Sequence, residues 1–187
     1  MPFLLIVAFL LILIVFVISF YNSLVRRRNQ VRNAWKQIDV QLKRRHDLIP
    51  NLVNTVRGQM EFEKETLEGV ISARAAAVNA NGISDAIKKE GELTAALSKL
   101  IAVTENYPDL KSNDAANQLM EELTTTENQI TFSRQFYNDL SMNYNSTLES
   151  FPTNLFAKDL RFYLAPLFQI AKKEEREAPV VDLSIKK

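Results

Sequence analysis

The chain contains no cysteine, and His46 is its one histidine among 187 residues. Without cysteine there is no disulfide, no thiolate metal site and no cysteine nucleophile. A single histidine argues against zinc chemistry, and the Glu-x-x-His motif of di-iron helical bundles is missing. The sequence therefore predicts a protein that is not an enzyme, with no catalytic residues, no metal and no cofactor.

Glycine and proline are also scarce, with four Gly and six Pro in the whole chain. Hairpin-rich β architectures need more turn residues than this, whereas long helices need few. Four glycines also provide no glycine-rich loop of the kind that cradles phosphate groups. The composition predicts an all-α fold.

Charged residues are missing from Phe3 to Tyr21, a run of aliphatic and aromatic residues with one serine. A helix of this length spans about 28 Å, close to the hydrocarbon thickness of a bilayer. A cleaved signal peptide is the alternative, but it needs a basic start, a shorter apolar run and small residues at the cleavage site. We interpret residues 1–22 as a permanent transmembrane anchor that includes Phe3, Leu10 and Tyr21.

Basic residues crowd the segment after this run. Residues 26–45 hold eight Lys or Arg against one acid, although the whole chain carries a net charge of +1. Because Lys and Arg collect on the cytoplasmic side of a span, we expect the N-terminus outside and residues 22–187 in the cytoplasm. Four of these residues form a basic cluster at the membrane surface: Arg26, Arg27, Arg28 and Arg32.

The same cluster does not predict nucleic-acid binding. Trp35 is the only aromatic residue interleaved with the basic residues, and no RNA- or DNA-binding motif follows. We therefore expect the lipid bilayer, and not nucleic acid, as the partner of these cations.

Apolar residues at spacings of three and four predict helices along the rest of the chain. The first helix leaves the membrane and is expected to break near 47–50, where Asp47 could cap a second helix; a continuous helix kinked at Pro50 is the alternative. The second helix is predicted to end near Asn79, before an Asn81-Gly82 turn. A third is predicted over about 84–106, with a loop at 108–113.

The strongest pattern belongs to a fourth helix, which Pro152 ends. Its steps of four and three predict a seam that packs in a left-handed bundle. The seam residues are Leu119, Leu123, Thr126, Ile130, Ser133, Tyr137, Leu140, Tyr144, Thr147 and Phe151. A shorter fifth helix is expected from Thr153 to about Lys173, where it either covers the open end of the bundle, which the pattern favours, or enters the bilayer interface.

Together these elements predict an antiparallel up-and-down four-helix bundle with a short fifth helix. The bundle domain is expected over 23–175, and 176–187 is expected to be a disordered tail.

Two groups of residues have competing interpretations. Trp35, Asp39, Lys43 and Asp47 lie at four-residue steps, so they are either a core tryptophan with i,i+4 ion pairs or a candidate interaction stripe. Tyr137, Tyr144 and Phe151 of the fourth helix are expected in the core or at its end, with a partner-binding aromatic groove as the alternative. His46 is expected at the surface near a helix end.

Four stretches of the chain carry a resemblance to a known family: Tyr21 to Val56, Leu67 to Ala75, Ala102 to Lys111 and Leu123 to Pro152. They resemble the LemA family of bacterial membrane-anchored proteins, which implies a location at the bacterial inner membrane. The resemblance covers nearly the whole chain apart from the tail, and it implies a single-pass protein with an antiparallel helical bundle. It implies no activity and no catalytic or ligand residues.

These observations favour a non-enzymatic scaffold or interaction protein at the membrane. Its expected partners are the bilayer and other membrane or cytoplasmic proteins, and assembly into a homo-oligomer stays open. The alternative is a membrane-tethered sensor that binds a small ligand within the helical bundle.

Overall fold

The computed structural model describes residues 2–60 and 63–168, and within these ranges the chain is helical and contains no β-strand. The all-α prediction is therefore confirmed. The helices are α1 (Pro2–Val56), α2 (Lys64–Val78), α3 (Gly82–Thr104), α4 (Pro108–Lys111), α5 (Asp114–Glu149) and α6 (Thr153–Phe156). The predicted disordered tail, 176–187, lies outside the described residues.

The N-terminal part of α1 has the properties of a membrane span. An 18-residue window has a mean hydropathy of 3.4, and none of it is buried against the rest of the protein. The first buried residue of α1 is Leu24, two residues past the predicted anchor. This arrangement is compatible with a single-pass membrane protein, because apolar side chains without a protein partner can face lipid.

Beyond the span, α1 packs antiparallel against α5 in what we call the proximal core. The ring centroids of Trp35 and Tyr137 lie 5.7 Å apart, which shows that these two residues are level with each other. The predicted α5 seam is confirmed at its buried positions, although Phe151 lies past the helix end and is 80% exposed. The proximal core consists of Leu24, Val31, Ala34, Ile38, Leu42, Ile130, Tyr137, Tyr144, Leu148, Ala157 and Phe162.

Farther from the span, four helices meet in what we call the distal core. The antiparallel pair α2 and α3 packs here against the C-terminal part of α1 and the N-terminal part of α5. The distal core consists of Ile49, Leu52, Val53, Val56, Met60, Leu67, Val70, Ala77, Leu93, Leu97, Leu100, Leu110, Ala116 and Leu123. The domain is thus a four-helix bundle at its distal end and a helix pair near the span.

The predicted fifth helix is wrong in extent. Of residues 153–168, the part of the predicted helix that the structure describes, only Thr153–Phe156 is helical, and residues 162–168 are extended and lie along α5. We call residues 157–168 the strap. The side-chain amide of Asn145 bonds both the N–H and the C=O of Ala165, at 2.8 and 2.9 Å. The amide of Asn138 bonds both backbone groups of Phe168 in the same way, at 2.9 and 3.0 Å.

The spacing of these two asparagines explains why the strap is extended. Seven residues of helix rise about 10.5 Å, and three extended residues cover about 10 Å. Asn138 and Asn145 therefore match Phe168 and Ala165, and their amides satisfy backbone groups that a helix would satisfy internally. The apolar composition of this segment favoured a helix. It gives no information about these asparagine partners, which are distant in sequence.

The predicted break near 47–50 is also wrong, and the continuous-helix alternative is correct. Pro50 lies inside α1, which continues to Val56. A proline has no N–H, so the carbonyl four residues earlier, that of His46, loses its helical donor. The Nε of Arg74 donates to this carbonyl at 2.6 Å, so α2 replaces the hydrogen bond that Pro50 removes.

The smaller boundary predictions have mixed outcomes. The Asn81-Gly82 turn is confirmed, with Gly82 at a φ of +81°. Helix α3 begins at Gly82 and not at Ser84, and no side chain caps it. The predicted loop at 108–113 contains the single turn α4.

Replacing Arg74 with methionine should destabilise the domain by about 1–3 kcal/mol, because the part-buried His46 carbonyl is left without a donor. The cost should shrink in a Pro50→Ala background, since an alanine at that position supplies the missing N–H. Unfolding free energies in detergent, followed by circular dichroism, measure both values. Arg57→Met, at an exposed arginine just after α1, is the control and should stay within about 0.5 kcal/mol. Equal costs of Arg74→Met in both backgrounds would refute the compensation.

Candidate functional site

A fully buried arginine lies where the proximal and distal cores meet. Arg45 projects from α1 and pairs with the carboxylates of Glu90 on α3 and Glu127 on α5. Its Nη1 also donates to the hydroxyl of Thr94 at 2.9 Å. One guanidinium thus links three helices, and its planar array of donors suits two carboxylates at once.

Two more side chains complete this cluster. The Nε2 of His46 lies 2.8 Å from Oε1 of Glu90, and Nη1 of Arg134 lies 3.8 Å from Oε1 of Glu127. We call Arg45, His46, Glu90, Glu127 and Arg134 the charge cluster. Glu90 is 2% exposed, so its charge depends on these neighbours.

The environment of Glu90 keeps it ionised. Burial alone would raise the pKa of its carboxyl group, because it disfavours the charged form. The close approach of His46 and the charge of Arg45 together outweigh burial, so the pKa lies below its ordinary value. Both carboxylates of the cluster are paired with cations, which suits a structural ion network better than proton transfer.

A cleft of about 200 Å³ between α3 and α5 reaches this cluster from outside. It is lined by Arg45, Thr94, Ser98, Glu127 and Asn128, among others. Within residues 2–60 and 63–168, no group of three or more side chains is arranged to hold a metal ion. The cleft therefore exposes a polar edge whose charges are already paired.

Aromatic residues form a second cluster beneath the strap. Trp35 stacks on Phe168 at 5.9 Å, and Tyr137 meets both rings edge-on. The hydroxyl of Tyr137 donates to the carbonyl of Pro166 at 2.8 Å. Of the three aromatic residues that the sequence offered as a partner groove, Tyr137 lies under the strap and Tyr144 is buried, whereas Phe151 is 80% exposed.

The structure separates the members of the predicted interaction stripe. Trp35 is half-buried in the aromatic cluster, whereas Asp39, Lys43 and Asp47 are on or near the surface. Those three make no ion pair within 4.0 Å in the described part of the chain, so the i,i+4 pairs are not formed. Their role as a binding stripe stays a prediction.

The predicted basic cluster divides into two kinds of residue. Arg26 and Arg32 contact no described acidic group, while Arg27 donates to Asn143 at 3.3 Å and Arg28 lies over the ring of Phe162. Phe3, Leu10 and Tyr21 are all exposed along the candidate span. Tyr21 also contacts Phe162 edge-on at 5.7 Å, so the span is continuous with the packed domain.

Comparison with known proteins assigns the family. The profile of the LemA family matches residues 34–183, which include the charge cluster and the strap. The chain belongs to the LemA family.

Relatives of this LemA-family chain include proteins of two names. Protein LemA of Metamycoplasma hominis is 26% identical over 163 residues, covering 87% of this chain and 74% of that protein. Magnetosome protein MamQ 2 of Paramagnetospirillum magneticum is 24% identical over 187 residues, covering 86% of this chain and 68% of the relative. Magnetosome protein MamQ of Magnetospirillum gryphiswaldense is 22% identical with the same coverage.

The sequence interpretation of this LemA-family chain missed the charge cluster, and its expectation that His46 lies on the surface was wrong. The side chain of His46 is 13% exposed and contacts Glu90. A signal was available, because Arg45 falls between Leu42 and Ile49 in steps of three and four on the buried face of α1. Glu90 precedes Leu93 and Leu97 of α3 in steps of three and four, so it also lies on a buried face. A charged residue in a core position predicts a buried partner of opposite charge.

The low pKa of Glu90 predicts a specific loss of stability in acid. The native carboxyl releases its proton at lower pH than the unfolded one, so its contribution is complete above the ordinary Glu pKa, about 4.3, and is lost as pH falls through the folded pKa. Glu90→Gln should cost about 3 kcal/mol at pH 7 and should flatten the decline in unfolding free energy between about pH 5 and pH 3.

The matched control is Glu92→Gln, which removes a more exposed carboxylate from the same helix. It should change the unfolding free energy by less than about 0.5 kcal/mol and leave the acid decline in place. Denaturant titrations at several pH values measure both variants. An unchanged acid decline in Glu90→Gln would show that the cluster does not hold the charge of Glu90.

Proposed function

We propose that this protein is a membrane-anchored scaffold that binds another membrane protein through its helical domain and performs no catalysis. The observation that carries the proposal is the continuity of α1 from Pro2 to Val56. A single helix joins the candidate span to the domain without a linker, so the domain is held at a fixed height and orientation above the bilayer. Such an attachment suits a protein that positions others.

Exposed aromatic residues on α5 mark the surface where we expect the partner. Phe132 is 71% and Phe136 45% exposed, and their i,i+4 spacing places them on one face. Large apolar side chains that stay exposed on a rigid element are typical of interaction sites.

The height of this surface favours a partner in the same membrane. The contact of Trp35 with Tyr137 places Phe136 level with about residue 36 of α1. That residue is some 15 positions beyond Tyr21, or about 22 Å along the helix. Another membrane protein with a small domain outside the bilayer extends far enough to contact Phe132 and Phe136.

Crosslinking in cells tests the scaffold role. A photoreactive phenylalanine analogue at position 132 or 136 of the full chain should give a discrete adduct with another membrane protein, identified by mass spectrometry. The same analogue at Gln118, an exposed position about 21 Å from Phe132 toward the N-terminus of α5, should not give this adduct. Identical adducts from all three positions, or none, would contradict the proposal, and adducts with a second copy alone would replace it with self-assembly.

We also propose that the domain is cytoplasmic, because arginines crowd the segment directly after the span. A fluorescent protein that matures only in the cytoplasm should be bright when fused after Lys187. An alkaline phosphatase, which is active only outside, should be inactive at the same position. The reverse pattern would overturn the orientation without affecting the fold.

A further inference from the structure

A cleft lined by three arginines lies where the strap crosses α1 and α5. It encloses about 210 Å³, and its walls include Arg28 and Arg32 from α1, Tyr144 from α5 and Arg161 from the strap. None of the described residues that line it is acidic. Unlike the charge cluster, this cleft therefore carries an uncompensated positive potential.

Two buried donors of this cleft have no hydrogen-bond partner among residues 2–60 and 63–168. Tyr144 is 2% exposed, and its hydroxyl makes no hydrogen bond among the described residues. The Nε of Arg28 is buried and, within the same part of the chain, unpartnered as well. Buried polar groups are almost always hydrogen-bonded, so two unsatisfied donors in one cleft indicate an acceptor that belongs there.

The protonation of Tyr144 supports its role as a donor. Burial raises the pKa of its hydroxyl, and the nearby charges of Arg28 and Arg32 only oppose that rise. The hydroxyl is therefore neutral near pH 7 and can donate to an anion.

The cleft is also built on fixed elements. The guanidinium of Arg28 lies 4.8 Å above the ring of Phe162, which is 2% exposed and holds it in place. Arg161 has a φ of +58°, a left-handed conformation that is uncommon outside glycine and often marks functional sites. Ile83, in the first turn of α3, also lines the cleft.

We propose that this cleft binds a phosphate group, carried either by an anionic lipid head group or by a free phosphate compound. Three guanidinium groups and a hydroxyl donor suit the several acceptor oxygens of a phosphate, with which arginine forms charge-assisted and bidentate hydrogen bonds. The proposal does not depend on the scaffold role, because it needs no protein partner.

The position of the cleft allows both sources of phosphate. Arg28 lies seven residues beyond Tyr21, about 10 Å along the helix. The head-group layer extends about 5–8 Å beyond the hydrocarbon, so the cleft opens just above it. A head group that projects from the bilayer and a solute in the adjoining water can both reach Arg28.

The test compares two arginines of equal charge on one helix. The full chain in neutral detergent is titrated with inorganic phosphate, and binding is followed by ³¹P NMR. Arg32→Gln, which alters the cleft, should weaken binding at least about tenfold, since a tenfold loss corresponds to one charge-assisted hydrogen bond. Arg26→Gln removes the same charge from an exposed residue outside the cleft and should change binding less than about twofold. Tyr144→Phe, which deletes one oxygen, should weaken binding several-fold.

A second arm separates the two sources. The full chain is placed in nanodiscs of phosphatidylcholine alone or with phosphatidylglycerol, and inorganic phosphate is titrated again. If phosphatidylglycerol competes with inorganic phosphate for the cleft, and Arg32→Gln abolishes this competition, the ligand is the lipid head group. Phosphate binding that is unaffected by phosphatidylglycerol identifies a free phosphate compound. Equal losses in Arg26→Gln and Arg32→Gln, or no phosphate binding at all, would overturn the proposal.

Discussion

The packing of α1 against α5 is the constraint on which the rest of the structure depends. These two helices contribute to both cores. Among the described residues, α2 packs at the distal end, α3 packs there too and reaches the proximal core through Ile83 in its first turn, and the strap packs near the span. Because α1 is also the candidate membrane span, the same contact connects the bilayer to every other element. This packing sets the positions of the arginine-lined cleft at the strap, of the charge cluster and of the exposed aromatic pair on α5.

The charge cluster fixes the register of this packing. Arg45 on α1 is satisfied only when Glu90 of α3 and Glu127 of α5 both face it. A slip of one helical turn, about 5.4 Å, would leave a buried charge without a partner. Apolar seams tolerate such slips more easily, so a buried ion network here selects one alignment of three helices even if it adds little net stability.

Local patterns predicted the elements of the fold better than their ends. The heptad steps of α5 report directly which side of that helix is buried, and they were correct at its buried positions, although not at Phe151. Pro50 predicted a break because the sequence does not show that Arg74 of α2 donates to the carbonyl of His46. The strap segment was predicted to be helical because the sequence does not show that Asn138 and Asn145, which are distant along the chain, bond its backbone.

The candidate sites were less predictable, for a related reason. Arg28 and Arg32 were recognised as basic residues near a membrane, yet the cleft exists only because the strap brings Arg161 and covers Tyr144. Arg45 carried a readable signal as a charge in a core position, but its partners could not be chosen among many glutamates without the packing. A site that is assembled from four segments can be recognised only once the tertiary structure is known.

The rigidity of α1 across the membrane boundary is the central claim, and a distance measurement tests it directly. The chain has no cysteine, so spin labels on Ser19→Cys and Asp39→Cys would be the only two in the protein. About twenty residues of continuous helix separate the labelled positions by about 30 Å. Pulsed electron paramagnetic resonance in nanodiscs should give one narrow distribution near that distance. A broad or much shorter distribution would show a hinge after the span and would contradict a domain held rigidly above the bilayer.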